Sequence, residues 1–200
     1  ACNEDEEGFN YRDATTSKVY ASQLKVGSDI GRCICGNFTN NVPGCVGFAY
    51  GNPVSTVANK ASAELSAPGV AYNFNIYWDG DLLSETFNYV AGKNTEGGIY
   101  KYGQSGPIYT CQGSLTNNDT KGTPCYQGDI LGDWREEIIM RTADNNIRIY
   151  STPTPTEHRN YNLWFDHQYR NAMVWQMCGY NQPPHVSYFM GELEGITIAP

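Results

Sequence analysis

The chain has 200 residues, of which 21 are acidic and 13 are Lys or Arg, so its formal net charge is −8 at pH 7. This length permits a sizeable core, and the acidic balance argues against a protein that holds nucleic acid or an anionic membrane through its overall charge. No apolar run approaches the roughly 20 residues of a membrane-spanning helix. The 21 glycines, 10 prolines and 15 tyrosines are typical of short strands joined by tight turns, which indicates an all-β protein.

The N-terminal segment ACNEDEEGF resembles the end of a bacterial lipoprotein signal, with Cys2 as the lipid-bearing residue. The same segment is equally consistent with a chain cut from a longer one, and both alternatives stay open. Residues 1–10 are therefore predicted to be a tail or a cut edge, followed by a β domain over residues 11–200. The seven cysteines show no zinc-finger spacing, and one or two disulfides are possible in an exported protein.

Strand-and-turn units recur along the chain at roughly 45 to 60 residues, a spacing within the range of propeller blades. The first passes from a polar loop after Gly31 into a strand that ends at Tyr50. The second, NFNIYWDGDLLSETF over residues 73–87, alternates apolar and polar positions before an Asp-Gly-Asp turn. The third, over residues 128–150, is predicted to be an acidic loop followed by a hairpin. A proline-rich connection over residues 151–159 leads to the last unit, where WQMCGYNQPPH contains two prolines that exclude a helix interior.

The acidic loop GDILGDWREE places Asp129, Asp133 and Glu137 four residues apart. A helix would stack these three like charges on one face, and Gly128 and Gly132 favour turns over helix. The sequence therefore predicts a tight loop that leads into a strand. Three carboxylates in a short loop suit a hard cation, and the alternative is that they cap turns and pair with neighbouring arginines.

Four stretches of the chain together resemble the C-terminal part of rhamnogalacturonan lyases of polysaccharide lyase family 11. They are GDILGDWREEIIMRTADNNIRIY, HQYRNAMVWQMCGYNQPPH, NFNIYWDGDL and DIGR, and the resemblance extends from about Tyr11 onward. It implies an eight-bladed β-propeller of which this chain would supply about three to four blades, with a substrate cleft at the propeller centre. The chain would then be a fragment or a shortened relative, completed by the missing blades or by another copy.

The resemblance also implies that the cation of the acidic loop is calcium, held by Asp129, Asp133 and Glu137. The equivalent loop after DIGR has Asn37 and Thr39 where the family has carboxylates. Because calcium is bound mainly by carboxylate and carbonyl oxygens, we expect no calcium in that earlier loop. Disulfide formation through the nearby cysteines is one way in which that loop could be held without metal.

The reaction implied by the resemblance is β-elimination at galacturonate in the backbone of rhamnogalacturonan I, a pectic polysaccharide. Such chemistry needs a neutralised uronate carboxylate, a base for the C5 proton and assistance to the oxygen that leaves C4. By resemblance, Arg32 and Lys121 form the catalytic pair. Arginine suits a bidentate clamp on the carboxylate, and lysine can act as a base when its pKa is lowered. The implied substrate contacts are Asn118, Asp119, Thr120 and Tyr180.

Two other functions remain open from the sequence. The first is a non-catalytic carbohydrate-binding or calcium-stabilised fragment, favoured by the short length and by Asp119, whose carboxylate would repel an anionic substrate. The second is a glycoside hydrolase that uses paired carboxylates such as Asp79 and Asp81, although an Asp-Gly-Asp turn explains that pair by local geometry. A polymeric substrate implies a location outside the cell or on the bacterial surface, and endo and exo action are not distinguished.

Overall fold

A computed structural model describes residues 8–23, 27, 32–41, 44–49, 52–57, 60–62, 73–179 and 181–191. The lipid-anchor hypothesis at Cys2 and the substrate contact predicted at Tyr180 fall on positions outside these described residues. The strands of the first half are β1 Phe9–Arg12, β2 Val19–Gln23, β3 Cys33–Gly36, β4 Val46–Ala49, β5 Asn52–Val57, β6 Lys60–Ser62 and β7 Phe74–Ile76. Those of the second half are β8 Glu85–Tyr89, β9 Gly97–Tyr100, β10 Tyr109–Cys111, β11 Ser114–Leu115, β12 Tyr126–Gly128, β13 Glu137–Thr142 and β14 Ile147–Tyr150.

Every described strand pair is antiparallel. Strands β1 and β2 form a two-stranded sheet, β3 to β6 form a four-stranded sheet in chain order, and β7 to β10 form another. In the fourth sheet, β13 pairs with each of β11, β12 and β14. Neighbours in the chain are thus mostly neighbours in a sheet, which is the arrangement that short turns between strands produce.

The prediction of three to four blades of an eight-bladed β-propeller is wrong. The described strands form several small antiparallel sheets, and within them there is no closed barrel or propeller. A recurring strand-and-turn spacing reports only which neighbouring strands pair. Closure into a propeller depends on contacts between distant sheets, and a local pattern does not encode such contacts. The fourth sheet also departs from a simple meander because β13 has three partners.

The individual hairpins follow the sequence closely. The predicted hairpin of the third unit is confirmed, since β13 and β14 pair from Ile138 opposite Tyr150 to Arg141 opposite Ile147. In the second unit, β7 and β8 pair with Phe74 opposite Phe87, and the Asp-Gly-Asp turn lies between them. Local turn chemistry and strand periodicity were sufficient for these elements because both strands of each hairpin lie within about twenty residues.

The largest core cluster joins the sheet of β7 to β10 to strand β13. Its fully buried members include Phe74, Phe87, Ile99, Ile138 and Met140. Each large apolar side chain removed from water contributes about 1.5–3 kcal/mol to folding. This cluster therefore holds β13 against the sheet of β7 to β10. The loop after β11 and the acidic loop before β13 both belong to the sheet of β13.

A short 3-10 helix, Leu163–Phe165, and one α-helix, α1 His167–Trp175, follow the proline-rich connection. The Asp166 side chain accepts a hydrogen bond from the Gln168 N–H at the N-terminus of α1, as N-cap residues do. The helix ends before the two prolines of the last unit, in agreement with their exclusion from a helix interior. None of the helices in the described ranges has the length and apolar character needed to cross a membrane.

Helix α1 packs on the acidic loop through a separate cluster. Tyr169 and Met173, one helical turn apart, are buried with Leu163 against Trp134 of the loop. The Trp134 backbone has a φ of 71°, and its side chain is 3% exposed. A bulky residue rarely adopts this left-handed conformation, so burial of the indole ring offsets a backbone strain in the loop.

Candidate functional site

The loop that carries Lys121 is a tight turn between β11 and β12. Asn117 and Thr123 pair across its base, and the Lys121 N–H donates a hydrogen bond to the Asn118 carbonyl over 2.7 Å. Asn118 and Asp119 have φ values of 57° and 37°, a region that Asn and Asp tolerate better than other residues with side chains. The turn exposes Asn118, Asp119 and Thr120 to solvent and leaves Lys121 half-buried.

Two polar side chains hold this loop in place through hydrogen bonds. The Asn73 Nδ2 group donates to the Lys121 carbonyl over 2.6 Å, and the Arg141 Nε group donates to Asn117 Oδ1 over 2.7 Å. Gly122 lies against the neighbouring strand so closely that a Cβ atom there would stand 2.8 Å from the Tyr89 backbone nitrogen. Only glycine fits such an approach without displacing the loop.

Asn181 connects the segment of Arg32 to the segment of Lys121. The Arg32 Nη1 group donates to the Asn181 carbonyl over 3.0 Å, and the Asn181 Nδ2 group donates to the Pro124 carbonyl over 3.0 Å. Pro124 follows Lys121 by three residues. The structure thus brings the start of β3, the Lys121 loop and the segment after α1 to one place, although they are far apart in sequence.

The Asp119 carboxylate is paired with a cation. Lys93 Nζ lies 3.0 Å from Asp119 Oδ2, and the two side chains are 58% and 59% exposed. An ion pair this exposed contributes roughly 0–1 kcal/mol to stability. It nevertheless places a positive charge beside the carboxylate that was expected to repel an anionic substrate.

The catalytic and substrate-contact roles assigned by resemblance to Arg32, Lys121, Asn118, Asp119 and Thr120 stay predictions. The supporting residues Asn73, Gly122 and Asn181 were missed by the sequence reasoning. A glycine directly after the predicted base was a visible indication of close backbone approach. The two asparagines gave no such indication, because their partners lie in other parts of the chain.

The acidic loop, residues 129–137, is called the Asp129 loop below. Its Gly132 has a φ of 82°, which confirms the predicted turn. Asp129 is buried, and its two carboxylate oxygens accept the N–H groups of Gly132 and Leu163, each over 2.8 Å. Glu137 Oε2 accepts the N–H groups of Ile130 and Leu131, each over 2.9 Å. Burial raises the pKa of Asp129 and the pKa of Glu137 above their ordinary values.

The third predicted ligand, Asp133, is exposed and pairs with the Arg135 guanidinium. The contacts of the three carboxylates are thus those of the alternative hypothesis: Asp129 and Glu137 accept backbone N–H groups, and Asp133 pairs with an arginine. Any cation at the Asp129 loop would compete with backbone N–H groups for the oxygens of Asp129 and Glu137. The metal role of these three residues stays a prediction.

A second acidic loop, residues 79–85, called the Asp79 loop below, gathers its carboxylates more closely. Oxygens of Asp79, Asp81 and Glu85 lie within 4.8 Å of one another, and in the described part of the chain they form the group of three that could hold a metal ion. Lys101, which directly follows β9, already places a positive charge there. Its Nζ lies 2.6 Å from Asp81 Oδ2 and 3.2 Å from Glu85 Oε1, and it also contacts Asp79.

The ionisation of the Asp79 loop reflects its depth. Burial, together with the negative charge of Asp79, raises the pKa of Glu85 to about 8, and Lys101 opposes that rise. Burial alone would lower the pKa of Lys101, but the carboxylates of Glu85, Asp79 and Asp81 hold it above its ordinary value. The lysine is therefore a charged internal counter-ion for this group.

Glu136, next to the predicted ligand Glu137, is the centre of a buried polar network. It accepts the Tyr169 hydroxyl over 2.7 Å, the Tyr77 N–H over 3.0 Å and the Gln127 side-chain amide over 3.1 Å. Burial raises its pKa to about 8 against these donors. Alternation along β13 could have found it, because Glu136 has the same parity as the core residues Ile138 and Met140.

Comparison with known proteins agrees with the sequence resemblance. Residues 1–199 match the family described as rhamnogalacturonan lyase family 11, C-terminal domain. The chain is 40% identical over 186 residues to the rhamnogalacturonan endolyase YesW of Bacillus subtilis, covering 92% of this chain and 29% of that protein. It is 36% identical over 205 residues to the rhamnogalacturonan exolyase YesX of the same organism, covering 92% of this chain and 32% of that protein.

Solved structures give the same result. The crystal structure of YesW superimposes with a TM-score of 0.79 at 39% identity, covering 96% of this chain and 31% of that one. A rhamnogalacturonan lyase of Bacillus licheniformis gives a TM-score of 0.77 at 37% identity, with 94% and 31% covered. The chain belongs to rhamnogalacturonan lyase family 11 and corresponds to its C-terminal domain. It spans about a third of the length of the relatives that it matches.

Proposed function

We propose that the chain contributes the C-terminal part of a lyase that cleaves rhamnogalacturonan I by β-elimination at galacturonate. The observation that carries this proposal is the meeting of Arg32, Asn181 and the Lys121 loop through two hydrogen bonds of 3.0 Å. Elimination needs a cation for the uronate carboxylate and a base for the C5 proton in one place. Arginine and lysine side chains of this chain supply both types of group.

Arg32 is proposed to bind the uronate carboxylate. Its Nη1 group donates to a backbone carbonyl of the buried Asn181, so one edge of the guanidinium is anchored. A carboxylate held by a planar guanidinium accepts two parallel hydrogen bonds, which orient it as well as neutralise it. Neutralisation of that carboxylate makes the neighbouring C5 proton easier to remove.

Lys121 is proposed to take the C5 proton. None of the ion pairs among the described residues involves its ammonium group, whereas Lys93 and Lys101 are both paired with carboxylates. Its backbone is held by Asn73 and by the close approach of Gly122. A rigid backbone limits the positions of the side chain, and such positioning is a large part of catalytic efficiency.

Two further parts of the proposal follow from the polymeric substrate. The protein would work outside the cell or on the bacterial surface, where a pectic polysaccharide is accessible. Calcium, proposed at Asp129, Asp133 and Glu137, would stabilise the fold, and no step of the elimination is assigned to it. The oxygens of Asp129 and Glu137 already accept backbone N–H groups, so a calcium ion there would bind weakly or replace those bonds.

A non-catalytic role in binding the polysaccharide is the second candidate. The observation that favours it is that the chain matches only 29% of YesW and 32% of YesX. A domain of that size can hold an anionic polymer through Arg32 and Lys121 without completing the elimination. Binding without elimination would then be the property of this chain.

The experiment adds the chain to rhamnogalacturonan I and follows the ultraviolet absorbance of the unsaturated uronate product. The same assay uses a hybrid in which the chain replaces the matching segment of Bacillus subtilis YesW. We expect elimination by the hybrid, its near-complete loss in Lys121→Ala, and a weaker apparent affinity in Arg32→Lys because the bidentate fork is lost. Lys93→Ala is the matched control for removal of a lysine beside the loop: it should retain elimination, with any change confined to the apparent affinity because Asp119 loses its paired cation.

Full activity of the hybrid with Lys121→Ala would refute the assignment of Lys121. Binding of the polymer with no absorbance change in chain or hybrid would support the second candidate. Release of reducing ends without the unsaturated product would indicate hydrolysis instead. An inactive hybrid that does not bind the polymer would contradict both candidates.

A further inference from the structure

Two cysteines, Cys35 and Cys45, lie on the solvent side of the sheet formed by β3 to β6. Along β3, Cys33 and Cys35 are exposed while Ile34 and Gly36 are buried. Cys45, directly before β4, is exposed as well, and the next residue, Val46, is buried. Alternation of side chains therefore places Cys45 on the same face as Cys35.

The register of this sheet brings the two side chains together. Cys35 lies opposite Gly47, and Gly36 lies opposite Val46, so Cys35 and Cys45 are diagonal neighbours across the strand pair. Gly47 has no side chain to separate them. Both cysteines are free thiols in the structure, and each is the main influence on the pKa of the other. Diagonal neighbours of an antiparallel pair lie roughly 7–8 Å apart, so the Cys45 backbone must move toward β3 before the sulfurs reach the bonding distance of about 2 Å.

The segment that leads into Cys45 can accommodate such a shift. Gly44 has a φ of 87°, and the space around its α-carbon is open, with no other atom within 4 Å of a Cβ built there. Cys45 lies directly before β4 rather than inside it. A change in the backbone conformation of Cys45 therefore leaves the residue pairs between β3 and β4 intact.

The two thiols differ in reactivity. The neighbouring Cys35 thiol lowers the pKa of Cys45, and the Cys45 thiol raises the pKa of Cys35. The thiolate is the form that attacks a disulfide. Cys45 is thus the first nucleophile of the pair, and Cys35 stays protonated until the second step.

We propose that Cys35 and Cys45 are a reversible dithiol–disulfide pair that is oxidised by exchange with a small disulfide such as oxidised glutathione. The Cys45 thiolate attacks one sulfur of that disulfide, forms a mixed disulfide and releases one glutathione thiolate. Cys35 then loses its proton to water and attacks the Cys45 sulfur, which releases the second glutathione. The net change converts two protein thiols and one oxidised glutathione into one protein disulfide and two reduced glutathiones.

The bond would restrain the part of the chain that carries Arg32. Arg32 precedes β3 directly, and its guanidinium is held by Asn181. A disulfide between Cys35 and Cys45 fixes the connection between β3 and β4, because it closes a loop of about ten residues in the unfolded chain. We expect oxidation to raise the Tm by roughly 5 °C. This expectation does not depend on the lyase activity.

The test treats the whole chain with oxidised glutathione or with dithiothreitol, alkylates the remaining thiols and maps the cysteines by mass spectrometry. Cleavage by trypsin after Arg32 and by chymotrypsin after Phe38 and Phe48 separates the two cysteines into the peptides 33–38 and 39–48. We expect these peptides to be joined after oxidation and separate after reduction. The Tm should change with the redox state in the same samples.

Variants identify the partner of Cys45. Cys33→Ser is the matched control and should keep both the joined peptides and the Tm difference, while Cys35→Ser and Cys45→Ser should lose them. Joined peptides in Cys35→Ser would mean that Cys33 is the partner and would refute the proposal. Stable glutathione adducts on wild-type Cys45 with no joined peptides would refute it too, as would retention of both alkylated cysteines after oxidation. If Cys35→Ser does not fold, joined peptides in Cys33→Ser still decide the partner.

Discussion

The Asp79 loop and the Asp129 loop are both rich in carboxylates, and they stabilise their negative charge in different ways. In the Asp79 loop, three carboxylates surround the ammonium group of Lys101. In the Asp129 loop, backbone N–H groups of Gly132, Leu163, Ile130 and Leu131 satisfy the oxygens of Asp129 and Glu137. The Asp79 loop thus combines the Lys101 cation with backbone N–H donors. Asp129 and Glu137 rely on backbone N–H groups, three from the Asp129 loop and one from Leu163.

This difference shows how little carboxylate spacing says about metal binding. Regular spacing of four residues indicated a cation at the Asp129 loop, yet the carboxylates that converge within 4.8 Å belong to the Asp79 loop. Spacing in sequence determines which carboxylates are near each other along the chain. The direction of each side chain and the donors already around it determine whether an ion has room.

The largest expected effect comes from the loop that depends on backbone donors. Asp129→Ala removes the acceptor for two N–H groups, one of them on the buried Leu163. An unsatisfied buried donor costs about 1–3 kcal/mol, so we expect the free energy of unfolding to fall by about 3 kcal/mol. Urea unfolding measures this change. Without calcium, Asp133→Ala, at the exposed position of the same loop, should change it by less than about 0.5 kcal/mol.

A somewhat smaller loss is expected when the Asp79 loop is deprived of its counter-ion. Lys101→Met keeps most of the side-chain volume but leaves three carboxylates without the shared cation, and Glu85 is fully buried among them. We expect the free energy of unfolding to fall by only about 2 kcal/mol at pH 7. Glu85, with a pKa of about 8, is already largely protonated there, so Asp79 and Asp81 are the charges that lose their cation. Lys93→Met breaks an exposed pair and should cost almost nothing. Equal losses in the two variants would contradict this account of the Asp79 loop.

A pH series compares the buried Glu136 with its neutral isostere. Because burial raises the pKa of Glu136 to about 8, the folded protein binds more protons than the unfolded chain between the ordinary value near 4.5 and about 8. The stability from this group is present below that window and is lost as the pH rises through it. Between pH 6 and pH 7, the free energy of unfolding of the wild type should fall by about 1 kcal/mol relative to that of Glu136→Gln. A difference that is independent of pH would show that Glu136 stays ionised in the fold.

The smallest expected effect is the response to calcium. A ligand that binds only the folded state raises the Tm, so a chelator should lower the Tm of the wild type by a few degrees. Asp133→Ala should abolish this shift if calcium binds the Asp129 loop as the sequence predicts. If Asp81→Ala abolishes it instead, the metal belongs to the Asp79 loop. A wild type with the same Tm in calcium and in chelator would refute the calcium prediction.

The sequence predicted best where the interacting residues are close along the chain. The hairpin of β13 and β14 and the turn at Gly132 follow from strand periodicity and glycine placement. The family was identified for a different reason, since long stretches retain a pattern shared with relatives at 36–40% identity. Neither type of information required knowledge of how the sheets pack together.

The parts that escaped prediction depend on partners that are distant in the chain. Lys101 enters the Asp79 loop from the next strand pair, and Tyr169 reaches Glu136 from a helix 33 residues away. Asn181 joins Arg32 to Pro124 across two even longer separations. The β-propeller prediction was wrong for the same reason, because a propeller is defined by contacts between distant sheets. Contacts of this kind depend on how distant parts of the chain pack together. Local patterns in a single sequence do not show that packing.

The left-handed backbone of Trp134 makes the motions of two elements inseparable. Its φ of 71° is retained only while the indole ring stays packed with Leu163, Tyr169 and Met173. If the loop relaxed toward an ordinary conformation, the indole ring would leave that cluster and helix α1 would lose a buried packing partner. Conversely, detachment of the helix would remove the packing that holds the strained turn. Loop and helix should therefore open as one cooperative unit in amide hydrogen exchange, with common protection across both.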